Sequence, residues 1–246
     1  MAKLSELLQS EYQDLLITGE PGVGKSVLAC SFPYPILYLD FDGKADSAAR
    51  FYANDKERLD AIDVRGLKKT MTNDPVAELN KIISDELIPQ EREGKMKYAT
   101  VILDSITTFS AAALEHVVKS NPGIKRVTTA QGLQPGLQDY GILKREFQRL
   151  IPGLLGLPCN VVMTAHIAAN KDDLTGEITR RPVMNGGFAD ILAAFFKEVW
   201  YLDVDKGKRI AQTQSNYKFK CRSQLPGLPE KFDVTEGYKA MEPYLK

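Results

Sequence analysis

This 246-residue sequence predicts an α/β fold: a mainly parallel twisted sheet with helices on both faces, extended by a C-terminal antiparallel β-meander. Three observations lead there. Apolar runs of four to seven residues alternate with longer amphipathic stretches, the pattern of βαβ units. The runs Leu15–Thr18, Ile36–Phe41, Ala99–Leu103 and Asn160–Thr164 are apolar on both faces, as a strand covered from two sides requires. After residue 196 the texture changes to alternating segments around a turn.

The helices follow from periodicity and caps. Pro75–Leu87 reads as a helix with Pro75 in its first turn, after Asn73 and Asp74. Ile106–Ser120 is a second. Tyr140–Leu150 is a third, with Leu143, Phe147 and Leu150 on one face. Farther on, Lys197–Val204, Lys208–Gln214 and Tyr217–Arg222 read as strands, the first two joined by the turn Asp205-Lys206-Gly207. The expected division is a core over residues 1–225 and a C-terminal arm over 226–246 that packs on it. Two long Gly/Pro/Thr/Asn-rich stretches, Asn121–Gln138 and Ala168–Gly187, read as loops that are either functional or mobile.

Composition narrows the class. Lys and Arg number 32 against 32 Asp and Glu, which argues against a globally basic nucleic-acid coat and against an acidic disordered chain. No apolar run is long enough to span a membrane, and the N-terminus has no apolar core of a signal peptide. Cys30, Cys159 and Cys221 are odd in number and far apart, so the expected setting is a reducing cytoplasm without a disulfide framework.

Chemistry concentrates in one stretch. Gly19-Glu20-Pro21-Gly22-Val23-Gly24-Lys25-Ser26, followed by Val27, matches the whole P-loop pattern between an apolar strand and a helix start. Its glycines let backbone N–H groups turn toward a polyphosphate, Lys25 reaches the β- and γ-phosphates, and the Ser26 hydroxyl is suited to Mg²⁺. The expected ligands are therefore ATP and Mg²⁺. Ala99–Leu103 then delivers Asp104 at its C-terminal end, where open α/β sheets bind ligands; Asp104 either supports the metal or simply caps the helix that follows. Asp40 and Asp42 end another strand at i and i+2, on one face. One of them can polarise an attacking water, the other choice being turn chemistry before Gly43.

Taken in this order, the motifs resemble the RecA/RadA/KaiC class of ATPases over about residues 12–225, and within it the short core-only RecA-like recombinases of bacteriophages, of the single-strand annealing type. In that resemblance Leu39-Asp40-Phe41-Asp42 stands where RecA has hydrophobic-Asp-x-Glu, which puts Asp42 in the place of the catalytic Glu, one methylene shorter. His166, ending Val161-Val162-Met163-Thr164-Ala165-His166, stands where RecA has the Gln that senses the γ-phosphate. Lys220 and Arg222 match the Lys-x-Arg that reaches a neighbouring subunit's nucleotide in RadA and KaiC-like ATPases. The resemblance implies an oligomer, ring or filament, with ATP between subunits. It also implies single-stranded DNA as partner, a single-strand DNA-binding protein as a further one, and a bacterial host cytoplasm. RecA's N-terminal polymerisation region and its C-terminal DNA-gathering domain have no counterpart in this sequence.

The two long stretches fall where RecA has its DNA loops. Lys125 and Arg126 in the first, and Arg180 and Arg181 in the second, are the expected phosphate contacts. A turn at Asp173-Leu174-Thr175-Gly176-Glu177 would make a small hairpin that holds Arg180 and Arg181 outward, with Phe188 at the rim. Residues 206–222 and 116–138 together hold nine basic side chains and no acid, so neutrality is an average over a segregated chain. Competing readings are a replication or packaging motor, a KaiC-like regulatory ATPase, a small-molecule P-loop kinase, and a protein that binds ATP without turning it over.

Overall fold

Strand β1 (Asp14–Thr18) lies inside an eight-stranded sheet because all five of its residues are buried, with apolar neighbours on both sides. The computed structural model describes residues 12–130, 132–171, 178–185, 187–216 and 218–245. After β1 come α1 (Lys25–Ala29), β2 (Ile36–Asp40), α2 (Ala45–Phe51), α3 (Lys56–Asp60), β3 (Ile62–Gly66) and α4 (Pro75–Ile82). A wider π turn, Ile83–Leu87, joins α4 to α5 (Ile88–Arg92). Then follow β4 (Thr100–Asp104), α6 (Ile106–Ser120), the short pair β5 (Thr128–Thr129) and β6 (Gly132–Leu133), α7 (Leu137–Leu155) and β7 (Asn160–Ala165). The chain continues through the hairpin β8 (Ile167–Lys171) and β9 (Ile178–Pro182), α8 (Ala189–Leu192), β10 (Glu198–Asp205), β11 (Lys208–Gln212) and β12 (Lys231–Asp233).

The sheet order is β12-β11-β10-β1-β7-β4-β2-β3. Strands β10, β1, β7, β4, β2 and β3 are parallel, and β11 and β12 add on antiparallel. The expected α/β sheet with its antiparallel extension is therefore the fold. Alternation along the strands sorts side chains to two cores. Leu16, Leu37, Leu39, Val101, Leu103, Val161 and Met163 face α4, α6 and α7. Leu15, Ile17, Ile36, Tyr38, Ile102, Val162 and Trp200 face α1 and the end of the chain, where Leu228, Phe232, Val234 and Met241 complete that side.

Several elements differ from expectation. The helix expected to stop at Leu87 runs on to Arg92, because the π turn takes up the break before Pro89, which has no N–H to donate. Helix α7 begins three residues earlier than expected. The Asp139 carboxylate accepts from the Gly136 amide at 2.8 Å, and Ile151 and Leu154 hold the last turns past Pro152 by burial. The segment expected as a strand over 217–222 makes only isolated bridges in its described part, Phe219 with Arg180 and Arg222 with Val199. The last strand of the meander comes instead from Lys231–Asp233. Strand β3 was not expected; it is an edge strand whose Asp63 and Arg65 pair with each other. Phe188, expected at a rim, is fully buried between Phe147 and Phe195. Among the described residues, no helix is long and apolar enough to cross a membrane.

Candidate functional site

Parallel strands share one polarity, so the C-terminal ends of β1, β2, β4 and β7 lie together on one edge. The loop after β1 turns back tightly there. A Cβ on Gly19 would meet the Leu202 carbonyl oxygen of β10 at 2.6 Å, so only glycine fits. Gly24, at φ 95°, enters α1 from the left-handed region. Lys25 is buried beneath the loop, and its ammonium donates to the Gly19 and Glu20 carbonyls at 2.9 Å each. Burial pulls its pKa down, opposed by the charges of Asp104 and Asp42. Pro21, Gly22, Gly24, Ser26 and Val27 line a cavity of about 370 Å³ together with Lys25, Asp42, Asp104 and His166.

Asp104 is 3 % exposed, and three hydroxyls hold it. Ser26 donates to Oδ2 at 2.6 Å, Tyr38 donates to the same oxygen, and Thr164 donates to Oδ1. Ser105 supplies the side-chain cap of α6, so Asp104 is not consumed as a cap. An all-oxygen pair, Ser26 with Asp104, fits a hard divalent cation such as Mg²⁺, which takes few protein ligands beside phosphate and water.

Asp40 and Asp42 divide the roles left open between them. Asp40 does the turn chemistry, accepting from the amides of Gly43, Lys44 and Ala45 at 2.8, 3.2 and 3.0 Å. Asp42 faces the cavity. Its Oδ1 accepts from Ser105 at 2.8 Å and from the Thr108 hydroxyl, and its Oδ2 lies 3.0 Å from His166 Nε2. Burial alone would raise its pKa, but the bonds from His166, Thr108 and Ser105 outweigh burial and hold it well below the usual carboxylate range. His166 is fixed through its own backbone, which donates to Thr107 Oγ1 at 3.0 Å, and its carbonyl accepts from Val183 at 2.9 Å. The histidine thus bridges Asp42 and the base of the β8–β9 hairpin.

Other expected residues lie elsewhere. Lys220 and Arg222 do not line this chain's own cavity. Arg222 bridges Val199, lower along β10, and Lys220 is exposed beside Arg180 and Arg181. Arg126 needs correction as an expected DNA contact. Its side chain is 1 % exposed and forked onto Asp139 at 2.6 and 3.0 Å, with further bonds to the Asn121 and Ile124 carbonyls. It ties the loop to α7 and has no face left for phosphate. Lys125 is exposed. β8 and β9 pair antiparallel from Ile167–Pro182 to Lys171–Ile178, while the turn expected at Asp173–Glu177 lies outside the described residues. Arg180 and Arg181 are half-buried, not held outward; the Arg180 guanidinium lies 5.4 Å from the Phe219 ring, which stacks on Tyr201.

Four lining residues, Lys44, Ser47, Phe51 and Arg209, were not singled out in the sequence. Arg209, on β11, reaches the same cavity. Its signal was available only as part of the acid-free run 206–222.

A glycine-cornered phosphate loop with its lysine and hydroxyl, an acid on the adjacent parallel strand and a second acid at the rim define a P-loop NTPase of the ATPase type. The sequence matches the AAA domain family over residues 11–225, and the chain belongs to that family. No curated protein sequence matches it. A prototypical ATPase from the type III secretion system of pathogenic bacteria is similar in structure at 15 % identity, with a TM-score of 0.47. The match covers 78 % of this chain and 51 % of that one, so this chain spans about half its length.

Proposed function

We propose that this protein is an Mg²⁺-dependent, ATP-hydrolysing oligomer that acts on single-stranded DNA in phage homologous recombination, by annealing or strand exchange. The observation that carries the ATPase is the convergence of Lys25, Ser26, Asp104, Asp42 and His166 on one cavity. Ser26 and Asp104 would hold Mg²⁺, which supplies charge neutralisation on the phosphates when bound. Lys25 exchanges its loop carbonyls for the β- and γ-phosphates. Asp42 keeps about one of its roughly four acceptor positions open, and with so depressed a pKa it orients water by accepting a hydrogen bond, without taking the proton outright.

What supports a coupling to DNA is the path from this water site. Asp42 bonds His166, and His166 opens β8, whose partner strand carries Arg180 and Arg181 beside the exposed Lys220. Arg222 and Lys220 complete a neighbouring subunit's site in this reading, in keeping with their distance from the chain's own cavity. The DNA surface is Lys125 with Arg180 and Arg181.

The test is the ATPase rate with and without single-stranded DNA at two salt concentrations. Stimulation that weakens as salt rises is expected, because phosphate contacts release counterions. Salt-insensitive stimulation removes the basic contacts from the proposal, and a rate indifferent to DNA removes the DNA. In the same assay Arg222→Ala subunits, inactive alone, regain turnover when mixed with Lys25→Ala subunits.

A further inference from the structure

The geometry points to Arg209 as a phosphate ligand of its own chain's nucleotide, held beside the loop by the Phe51 ring; the inference rests on the nucleotide reading above. Arg209 sits on β11, far in sequence from the loop, yet it lines the cavity that holds Lys25 and Ser26. Its side chain runs along the outer flank of the loop: a Cβ on Gly24 would lie 2.4 Å from Arg209 Nε. Lys25 lies under the loop and is bonded to the Gly19 and Glu20 carbonyls, so two cations border one cavity.

The backbone of Arg209 is pinned at both ends. Its amide donates to Thr235 Oγ1 at 3.0 Å, and its carbonyl accepts from the Val234 amide at 2.8 Å. The guanidinium carbon stands 4.5 Å from the centre of the Phe51 ring, and Phe51 is 52 % exposed at the cavity mouth. Stacking on a ring occupies the face of a guanidinium and leaves its N–H edge free to donate. Among the described residues that edge meets no carboxylate. The side chain lines the cavity beside the phosphate loop, and a planar fork of donors matches phosphate oxygens. Phe51 is then a positioning residue, and Arg209 a binding residue acting in cis, in contrast to the role proposed for Arg222.

Calorimetric titration of Mg²⁺-ADP into the full chain tests this, with thermal melting of each variant alongside. Arg209→Ala is expected to weaken ADP about tenfold, the scale of one charge-assisted contact, with an unchanged melting temperature. Arg209→Lys regains only part of that loss, since it keeps the charge and loses the flat fork. Phe51→Leu weakens ADP less than Arg209→Ala. ADP affinity at the wild-type level in Arg209→Ala overturns the inference. The reading beneath it fails differently, by wild-type protein that binds no ADP or by Lys25→Ala protein that binds it undiminished. Mixing supplies a second arm: at an ATP concentration low enough to leave Arg209→Ala subunits largely empty, adding Lys25→Ala subunits restores no turnover, because each defect disables the pocket of the chain that carries it. Recovery of turnover would place Arg209 in the neighbour's site and overturn the cis assignment.

Discussion

Asp40 and Asp42 leave the same strand end two residues apart, yet the three amides bonded to Asp40 and the two hydroxyls and one imidazole bonded to Asp42 give them different work. A carboxylate spent on backbone amides fixes a turn. One held by side chains at the start of α6 and at the junction of β7 with β8 can respond to what those elements do. In the role proposed for Asp42, the shorter reach of Asp relative to Glu would be offset by Ser105, Thr108 and His166, which hold the carboxylate beside the cavity. Asp42→Asn keeps the volume and one acceptor oxygen but loses the charge. Its kcat is expected to fall by about a hundredfold or more, as for the loss of a positioned catalytic group, while Mg²⁺-ADP affinity stays within a factor of about two. Single-turnover hydrolysis and ADP titration read the two separately. An Asn variant with wild-type kcat would reduce Asp42 to an anchor for the start of α6.

At the scale of elements, α4 shows how a cap and a tertiary contact share one residue. Asp74 accepts from the Val76 and Ala77 amides at 3.2 Å each, and its other oxygen lies 2.7 Å from His116 Nδ1 on α6. Burial would raise the Asp74 pKa, but the His116 bond leads the contacts that bring it below the ordinary carboxylate value. A carboxylate with a depressed folded pKa contributes stability that is present above its unfolded value of about 3.9 and is lost as pH falls through the folded value. Asp74→Asn keeps a capping oxygen and removes that titration. The wild type is therefore expected to lose more of its melting temperature than the Asn variant between about pH 5 and pH 2, while parallel losses would locate the acid sensitivity elsewhere. This cap was readable from Asp74 and Pro75 alone because caps are local. The same locality made the phosphate loop and the doubly apolar strands legible. What escaped the sequence depends on partners distant in the chain. Arg126 reads as a free cation until Asp139, 13 residues away, takes both of its prongs. β3 alternates Asp63 and Arg65 like a surface loop, and only pairing with β2 makes it a strand. Arg209 becomes a cavity residue only once β11 lies beside β10 and the loop.

On the scale of the whole molecule, the end of the chain is a wall of the fold. Helix α1 is only five residues long and cannot cover the second face of the sheet. Leu228, Phe232, Val234 and Met241 fill the remainder. Phe232 meets Trp200 of β10 edge-on at 5.9 Å and Tyr244 at 5.5 Å, and β12 is bonded to β11 on one side. Glu198, fully buried, accepts from Trp200 Nε1 at 2.9 Å and from the Gln224 amide at 2.6 Å, which fixes where the segment leaves the sheet. The same segment holds Arg209 through Val234 and Thr235, so the wall and the nucleotide cavity share a support. Phe232→Ala is therefore expected to cost about 3–5 kcal/mol, the range for deleting a buried aromatic ring, and to loosen the cavity as well as the core. Urea unfolding measures the first effect. Hydrogen exchange at Arg209 and Ile210 measures the second, and their amides are expected to lose protection together with Phe232 and Val234. A variant that loses stability while β11 stays protected would uncouple the wall from the nucleotide site. One that keeps wild-type stability would show that residues 228–241 do not seal this face.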